Sequence, residues 1–369
     1  MAQGINARQV KNHNEAVVLD LVRRHQPISR YEIAELSGLT PTTISSVIAR
    51  LLPLGIVAEG PSKASRSQDH AGRRRIPLSL VASSRLAGGI LVHRTGLEGV
   101  VVDLGGTIHA KARDPWHHQL FGYAMRTVAD RIRAMQTQLS GELPTSLKRN
   151  LVGYGVGVPS RTPEGWAWDG VRSSMTDSIN HLIVWSNNAV ASAYGEWWTG
   201  SLPQRPSILY LFFGGGIGGC WIQSAGTHEL PKFQAVEVGH LGMEVNGPRC
   251  YCGSSGCLER LIGLSQTTLD ARGSQHILAY AIQSLALLFK VDLIILGGPR
   301  IEGMSDTSFE FLRESLSSCV PIQAATVQGT ARAVGTAVTV FQHDFIPCRT
   351  PVSDGLRLEH PTAWGQQIQ

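Results

Sequence analysis

Gly239-His240 is followed, after nine intervening residues, by Cys250-Tyr251-Cys252-Gly253-Ser254-Ser255-Gly256-Cys257-Leu258-Glu259. Three cysteines fall within eight residues, with a histidine ten before the first. Thiolate and imidazole are the ligands that zinc prefers in a closed tetrahedral site. A Cys-x-Cys pair is too tight for an easy internal disulfide, whose two Cβ atoms must face each other. Gly253 and Gly256 permit the sharp backbone that returns Cys257 to Cys250 and Cys252. The expectation is one structural zinc on His240, Cys250, Cys252 and Cys257. The competing reading is a set of reduced cysteines in a glycine-rich loop. Four protein ligands leave no open coordination position, so a catalytic zinc is not expected.

Around this stretch lies a chain of 369 residues, long enough for two or three domains. No run of eighteen apolar residues occurs, so no membrane-spanning helix is expected. The N-terminus, MAQGINARQVKNHNEAVVLD, is polar where a signal peptide would be apolar. With cysteines at metal spacing rather than in a disulfide framework, a reducing cytoplasm is the expected location. The net charge of +5 is unevenly placed. Residues 1–80 hold 11 Lys or Arg against 6 Asp or Glu, and the remaining 289 hold 22 of each. A basic module joined to a neutral body points to an anionic partner for the module.

The module reads as three helices and two strands. Val17, Val18, Leu21 and Val22 make one helical face within residues 14–25, and Pro27 ends that helix. Ser29-Arg30-Tyr31-Glu32 is a capping box opening a second helix, which Gly38 closes. Thr40-Pro41 opens a third, PTTISSVIARLL. Its buried stripe is Ile44, Val47, Ile48 and Leu51; Thr42, Thr43, Ser45, Ser46 and Arg50 face away. Two short helices about a glycine turn, the second with small polar residues outward, give a helix-turn-helix layout. Residues 56–59 and 76–80 are candidate wing strands, separated by a polar segment that ends Gly72-Arg73-Arg74-Arg75. The expected DNA-contacting residues are Arg30, Thr42, Thr43, Ser45, Ser46, Arg50, Arg73, Arg74 and Arg75. The alternative is a small helical protein-interaction domain.

Gly-His, a short gap and Cys-x-Cys-Gly-x-x-Gly-Cys-x-Glu together resemble the zinc motif of the ROK family (repressors, open reading frames and kinases). Residues 29–45 likewise resemble the winged helix-turn-helix of ROK repressors through SRxExAxxxGLTxxTIS, a block that ROK kinases lack. The resemblance implies an α/β body with the two-lobed actin-like, RNase H-like sugar-kinase fold. The pattern agrees. Residues 86–93, 97–103 and 107–113 read as a three-stranded meander, followed by a helix over 123–139 and a strand over 151–158. A similar order recurs with strands at 208–213 and 219–223, a helix at 275–289 and a strand at 292–296. The expected divisions are a winged helix-turn-helix over 1–82, a ligand-sensing and dimerising body over 83–345, and a polar tail over 346–369. The body's lobes are placed at about 83–184 and 185–345.

The resemblance also fixes where a kinase would carry its chemistry. The first phosphate loop, Asp-x-Gly-Gly-Thr in ROK kinases, falls on Leu91-Val92-His93-Arg94-Thr95, with neither its Asp nor its glycines. Without them the backbone cannot approach phosphate closely and magnesium has no anchor. Asp103-Leu104-Gly105-Gly106-Thr107 matches the motif one hairpin later, where Gly-Gly reads as a turn. The catalytic Asp of Glu-Asn-Asp falls on Asn188, and a carboxamide cannot titrate as a general base. The sugar-binding positions implied are Asn187, Asn188, Glu237, His240 and Glu259. His240 would serve both zinc and sugar. The segments 159–184 and 260–274 are shorter than in relatives, which bears on the shape of the cleft. The reading is a non-enzymatic, sugar-responsive repressor that binds operator DNA as a homodimer or dimer of dimers. Its alternatives are an active sugar kinase with an added DNA-binding domain and a regulator answering to a protein partner.

Overall fold

A computed structural model describes residues 7–61, 75–93, 96–116, 125–159, 168–176, 182–224, 230–263 and 269–345. Arg73, Arg74, Arg94, Thr95 and the 346–369 tail, all invoked above, lie outside the described residues.

The chain begins with three helices, α1 (Ala7–His25), α2 (Arg30–Ser37) and α3 (Pro41–Leu51). Helix α1 starts a full two turns before its apolar face does. The capping box at α2 forms as expected: the Glu32 N–H donates to Ser29 Oγ at 3.3 Å and the Ser29 N–H to Glu32 Oε2 at 2.8 Å. Gly38 takes φ 67° and its N–H closes α2 on the Ala34 carbonyl. Thr40 Oγ1 caps α3 by accepting from the Thr43 N–H. Ile44, Val47, Ile48 and Leu51 are buried against Val17, Val18, Leu21 and Val22 in one cluster. A small antiparallel sheet completes this part, with β1 (Ile28–Ser29), β2 (Val57–Glu59) and β3 (Pro77–Leu80) in the order β1-β3-β2. The two-residue β1 gives no periodic signal and exists only through its pairing with β3.

Two larger sheets follow, and they are the same object twice. The first contains β4 (Leu86–His93), β5 (Gly96–Asp103), β6 (Ile108–Pro115), β7 (Leu151–Val158) and β8 (Leu182–Asn187), ordered β6-β5-β4-β7-β8. The second contains β9 (Ser207–Phe213), β10 (Ile217–Gln223), β11 (Lys232–Val236), β12 (Leu293–Gly297) and β13 (Ile322–Ala324), ordered β11-β10-β9-β12-β13. In each, an antiparallel meander is extended by two parallel strands. Parallel strands need crossovers, supplied in the first sheet by α4 (Met125–Glu142), α5 (Thr145–Lys148) and α6 (Asp169–Thr176). In the second they are α8 (Arg272–Phe289), α9 (Pro299–Glu302) and α10 (Asp306–Leu316). The strands read as apolar runs because both faces are covered.

After each fifth strand comes a helix that packs against its counterpart: α7 (Asn188–Trp198) and α11 (Val334–Phe345). They touch backbone to backbone, since a Cβ on Gly335 would lie 1.6 Å from the Ala191 carbonyl oxygen. Helix α11 also lies across β4 and β7. The lobe division drawn at 184/185 therefore needs correcting. It cuts β8, which pairs with β7 through Asn187, and residues 334–345 return to the first sheet. Strand pairing and helix return are tertiary events with no marker in local composition.

The Asp103–Thr107 match is a turn. Asp103 Oδ1 accepts from the Gly105 and Thr107 N–H groups at 2.9 and 3.0 Å, and Oδ2 lies 2.9 Å from His109 Nε2. No described helix is long and apolar enough to cross a membrane.

Candidate functional site

The cysteine loop hangs from the second sheet. β11 runs into a short 3₁₀ turn over Val238–His240, and the chain then folds back through the bridges Gly242–Cys257 and Arg249–Ser255. Gly253 and Gly256 take φ 96° and 64°, the left-handed backbone expected of them. Gly256 has a second reason to be glycine: a Cβ there would lie 1.7 Å from the Glu244 carbonyl oxygen.

This path brings His240, Cys250, Cys252 and Cys257 together, their ligand atoms all within 4.8 Å of one another. His240 Nδ1 lies 3.6 Å from Cys250 Sγ, and Cys252 Sγ lies 3.6 Å from Cys257 Sγ. Zn–S bonds of about 2.3 Å at tetrahedral angles place sulfurs roughly 3.8 Å apart, so the residues fit a zinc ion. The chemistry points the same way. Burial pushes the Cys250 thiol up, and Cys257 up to about 12 with the neighbouring thiols adding to it. Thiols raised in this way become thiolates at neutral pH only beside a cation.

Glu259 follows directly. It is 2 % exposed, and its Oε2 accepts from the Ile217 N–H at 2.6 Å while Oε1 accepts from the Tyr251 hydroxyl at 3.3 Å. Burial pushes its carboxyl up to about 7, against the Ile217 N–H, which favours the ionised form. Glu259 thus ties the cysteine loop to the glycine hairpin at 214–216. Gly239 sits under the same carboxylate, and a Cβ there would lie 2.4 Å from the Ile217 carbonyl oxygen. The sequence reading passed over Tyr251, whose ring also meets His240 edge-on at 5.2 Å. Its place inside Cys-x-Cys was the available signal.

The remaining implied sugar residues are only partly gathered. Glu237 is exposed and close enough to Glu259 to raise its pKa. Asn187 caps α7, its Oδ1 accepting from the Ala189 and Val190 N–H groups at 2.7 and 3.3 Å. Asn188 is buried, and its Nδ2 donates to the Val92 carbonyl at 2.9 Å. Its Oδ1 has no hydrogen-bond partner among the described residues. Ala189 in turn packs on Gly218, so the Asn and Glu259 groups border the β9–β10 hairpin from two sides. At the first-loop position, the Leu91 side chain is buried beside Gly157.

On α3, Thr42, Ser45 and Ser46 are exposed and Thr43 half-buried. Of the cations expected at DNA, the three described ones, Arg30, Arg50 and Arg75, have partners within the protein. Arg50 reaches Glu15 Oε2 at 3.0 Å and Ser46 Oγ at 3.0 Å. Arg30 pairs with Glu59 at 2.6 Å, and Arg75 lies over the Tyr31 ring at 4.5 Å.

Comparison with known proteins follows the same lines. The ROK family model matches residues 157–276. The xylose repressor of Bacillus subtilis (strain 168) is 30% identical over 261 residues, covering 68% of this chain and 65% of the repressor. The chain thus spans 65% of the length of that relative. The DNA-binding transcriptional dual regulator NagC of Escherichia coli (strain K12) is 25% identical over 269 residues, covering 70% of this chain and 64% of NagC. Among solved structures, a ROK family transcriptional regulator, homologue of the E. coli MLC protein, superposes with TM-score 0.65 at 14% identity. That match covers 94% of this chain and 99% of the regulator. A ROK family glucokinase from Streptomyces griseus, in complex with glucose and AMPPNP, superposes with TM-score 0.55 at 20% identity over 70% of this chain and 99% of the glucokinase. These two show the fold, an α/β architecture shared with sugar kinases. The chain carries a ROK family domain.

Proposed function

We propose that the protein is a sugar-responsive DNA-binding transcription regulator of the repressor type. The observation that carries this reading is α3. Its apolar stripe is spent on α1 and α2, and its outward face is small, hydroxylated and exposed. With the Gly38 turn before it and the β2–β3 hairpin after it, α3 has the setting of a recognition helix in a winged helix-turn-helix. The xylose and NagC relatives are themselves named as a repressor and a DNA-binding regulator. Thr42, Thr43, Ser45 and Ser46 would read base edges or phosphates. Arg30, Arg50 and Arg75 would meet the backbone, with Arg73 and Arg74 on the wing. The ion pairs of Arg30 and Arg50 are partly exposed and worth at most about 1 kcal/mol each, so phosphate can displace them.

The body serves as sensor. Asn187, Asn188, Glu237, His240 and Glu259 offer fixed hydroxyl acceptors and donors suited to a polyol. Asn188 Oδ1, without a hydrogen-bond partner among the described residues, would accept from a ligand hydroxyl at that end. Zinc on His240, Cys250, Cys252 and Cys257 would hold that wall of the cleft in shape, a structural role. A homodimer or dimer of dimers would set two α3 helices on a pseudo-palindrome. Metal-bound thiols suit a reducing, cytoplasmic location. Phosphotransfer is the second reading, favoured by the glucokinase fold match. It lacks a base, because Asn188 cannot take a proton, and the apolar Leu91 supplies no magnesium anchor.

The test is selection from random duplex DNA by the full chain, then anisotropy titration of the winning sequence at several salt concentrations. A pseudo-palindrome is expected. Thr43→Ala and Ser46→Ala should shift its sequence at a cost of roughly 1–3 kcal/mol per lost contact. Arg75→Gln should weaken all duplexes and flatten the salt slope. Failure of the native chain to select or bind any duplex at low salt would sink the reading.

A further inference from the structure

We propose that α7 is the mechanical link between the ligand cleft and the N-terminal module, and that Arg23 is its joint. This rests on the reading of the protein as a sugar-responsive regulator.

Helix α7 has a different neighbour at each end. Its first turn belongs to the proposed ligand site: Asn187 caps it, Asn188 is tied to the Val92 carbonyl, and Ala189 packs on the β9–β10 hairpin. Its last turn meets α1. The Arg23 guanidinium donates through Nη1 to the Trp198 carbonyl and through Nη2 to Asp20 Oδ1 at 2.8 Å. The same guanidinium lies 4.4 Å from the centre of the Trp198 ring and 5.4 Å from that of Trp197. Its side chain is 7 % exposed. A cation at the C-terminal carbonyls of a helix meets the negative end of the macrodipole. Stacking on two indoles adds a cation–π attraction that burial strengthens. Arg23 thus holds α1 to the end of α7 by charge, hydrogen bond and ring contact at once.

The rod between these ends is stiff. All eleven residues of α7 are buried, and at 1.5 Å rise each they span roughly 16 Å. A helix so enclosed moves as a unit. Trp198 is also registered against the body, its Nε1–H donating to the Leu104 carbonyl at 3.1 Å and its ring stacked on Phe341 of α11 at 5.7 Å. A shift at Asn188 is delivered at Trp198, and Arg23 passes it to α1, which shares its apolar cluster with α3. Arg23 and Trp198 are 175 residues apart, so nothing local to the sequence announces the joint.

The test needs neither sugar nor operator. In the full zinc-loaded chain, Asn188→Ala frees the first turn of α7 from Val92. Amide hydrogen exchange is then followed in α1. Asn188→Ala should speed exchange over residues 16–25 by about fivefold or more in the native background, the low end of typical coupling. In an Arg23→Met background the same change should have less than twofold effect. Should Arg23→Met fail to fold by circular dichroism, Arg23→Lys, which keeps the charge and loses the planar stack, takes its place. An equal response in both backgrounds overturns the link, as does no response in the native one. Coupled exchange in a chain that binds no DNA would leave the link standing and the regulator reading fallen.

Discussion

Arg332→Met should destabilise the body severely, and the structure says by how much. Arg332 is 4 % exposed and sits between two carboxylates. Its Nη2 donates to both oxygens of Glu98 on β5, at 3.1 and 2.9 Å, and its Nη1 to Glu302 on α9. Glu98 is 3 % exposed. Methionine keeps an apolar stem in place of the arginine methylenes but carries no guanidinium, so the main loss is the ion pairs. Among the described residues it leaves the buried Glu98 only the longer cationic contact with Arg113, at 3.9 Å, at a cost of about 3–5 kcal/mol. Glu98→Gln keeps an acceptor and leaves Arg332 its Glu302 partner, so it should cost about 1–3 kcal/mol. The double variant leaves only Glu302 without the arginine, and that carboxylate is partly exposed and still accepts from the Gly329 N–H. The double change should cost at least about 2 kcal/mol less than the two single changes added together. Urea unfolding at pH 7 in excess zinc, followed by tryptophan fluorescence, measures all three. Additivity within about 0.5 kcal/mol would refute the buried pair as the cause. Because Glu98 lies on the first sheet and Glu302 on α9, between β12 and β13 of the second, the same triad ties the two sheets together.

Three other outcomes are expected. Burial, followed by the charges of Arg332 and Arg113, lowers the His93 pKa to about 4, so the folded state binds fewer protons than the unfolded one between about 4 and 6.5. Its contribution, of order 3 kcal/mol, should be fully present above pH 6.5 and lost as pH falls through 4. His93→Gln should flatten that limb of an acid titration, and an unchanged limb would exclude this histidine. Elemental analysis of protein purified without chelator should find about one zinc per chain, and Cys252→Ala should lose the metal and destabilise the body, as metal binding and folding are coupled. Substoichiometric zinc in the native protein would contradict this. Incubation with ATP, magnesium and glucose should yield no glucose phosphate, and turnover abolished by Asn188→Ala would restore the kinase reading.

Much of the protein was legible because its signals are local. The capping box at Ser29, the Gly38 turn and the buried stripe of α3 each act within a few residues, where propensity and hydrogen bonding decide alone. The metal cluster was legible for the same reason, since three of its four ligands lie within eight residues of chain. The meanders β4–β6 and β9–β10 followed from alternating apolar runs and glycine turns. The last elements were not: β13 is three residues long, and α11, rich in Val, Thr and Phe, shows no one-sided face because sheet and helix bury it on several sides. Tertiary structure alone decided that α11 crosses back to the first sheet. It alone paired Arg332 with Glu98 across 234 residues and seated Arg23 on the indoles of α7. Such contacts are made by charged groups whose sequence neighbours say nothing of their burial. A buried arginine is tolerated only where the folded chain supplies a partner, and that partner comes from a strand or helix placed by the packing of everything between them.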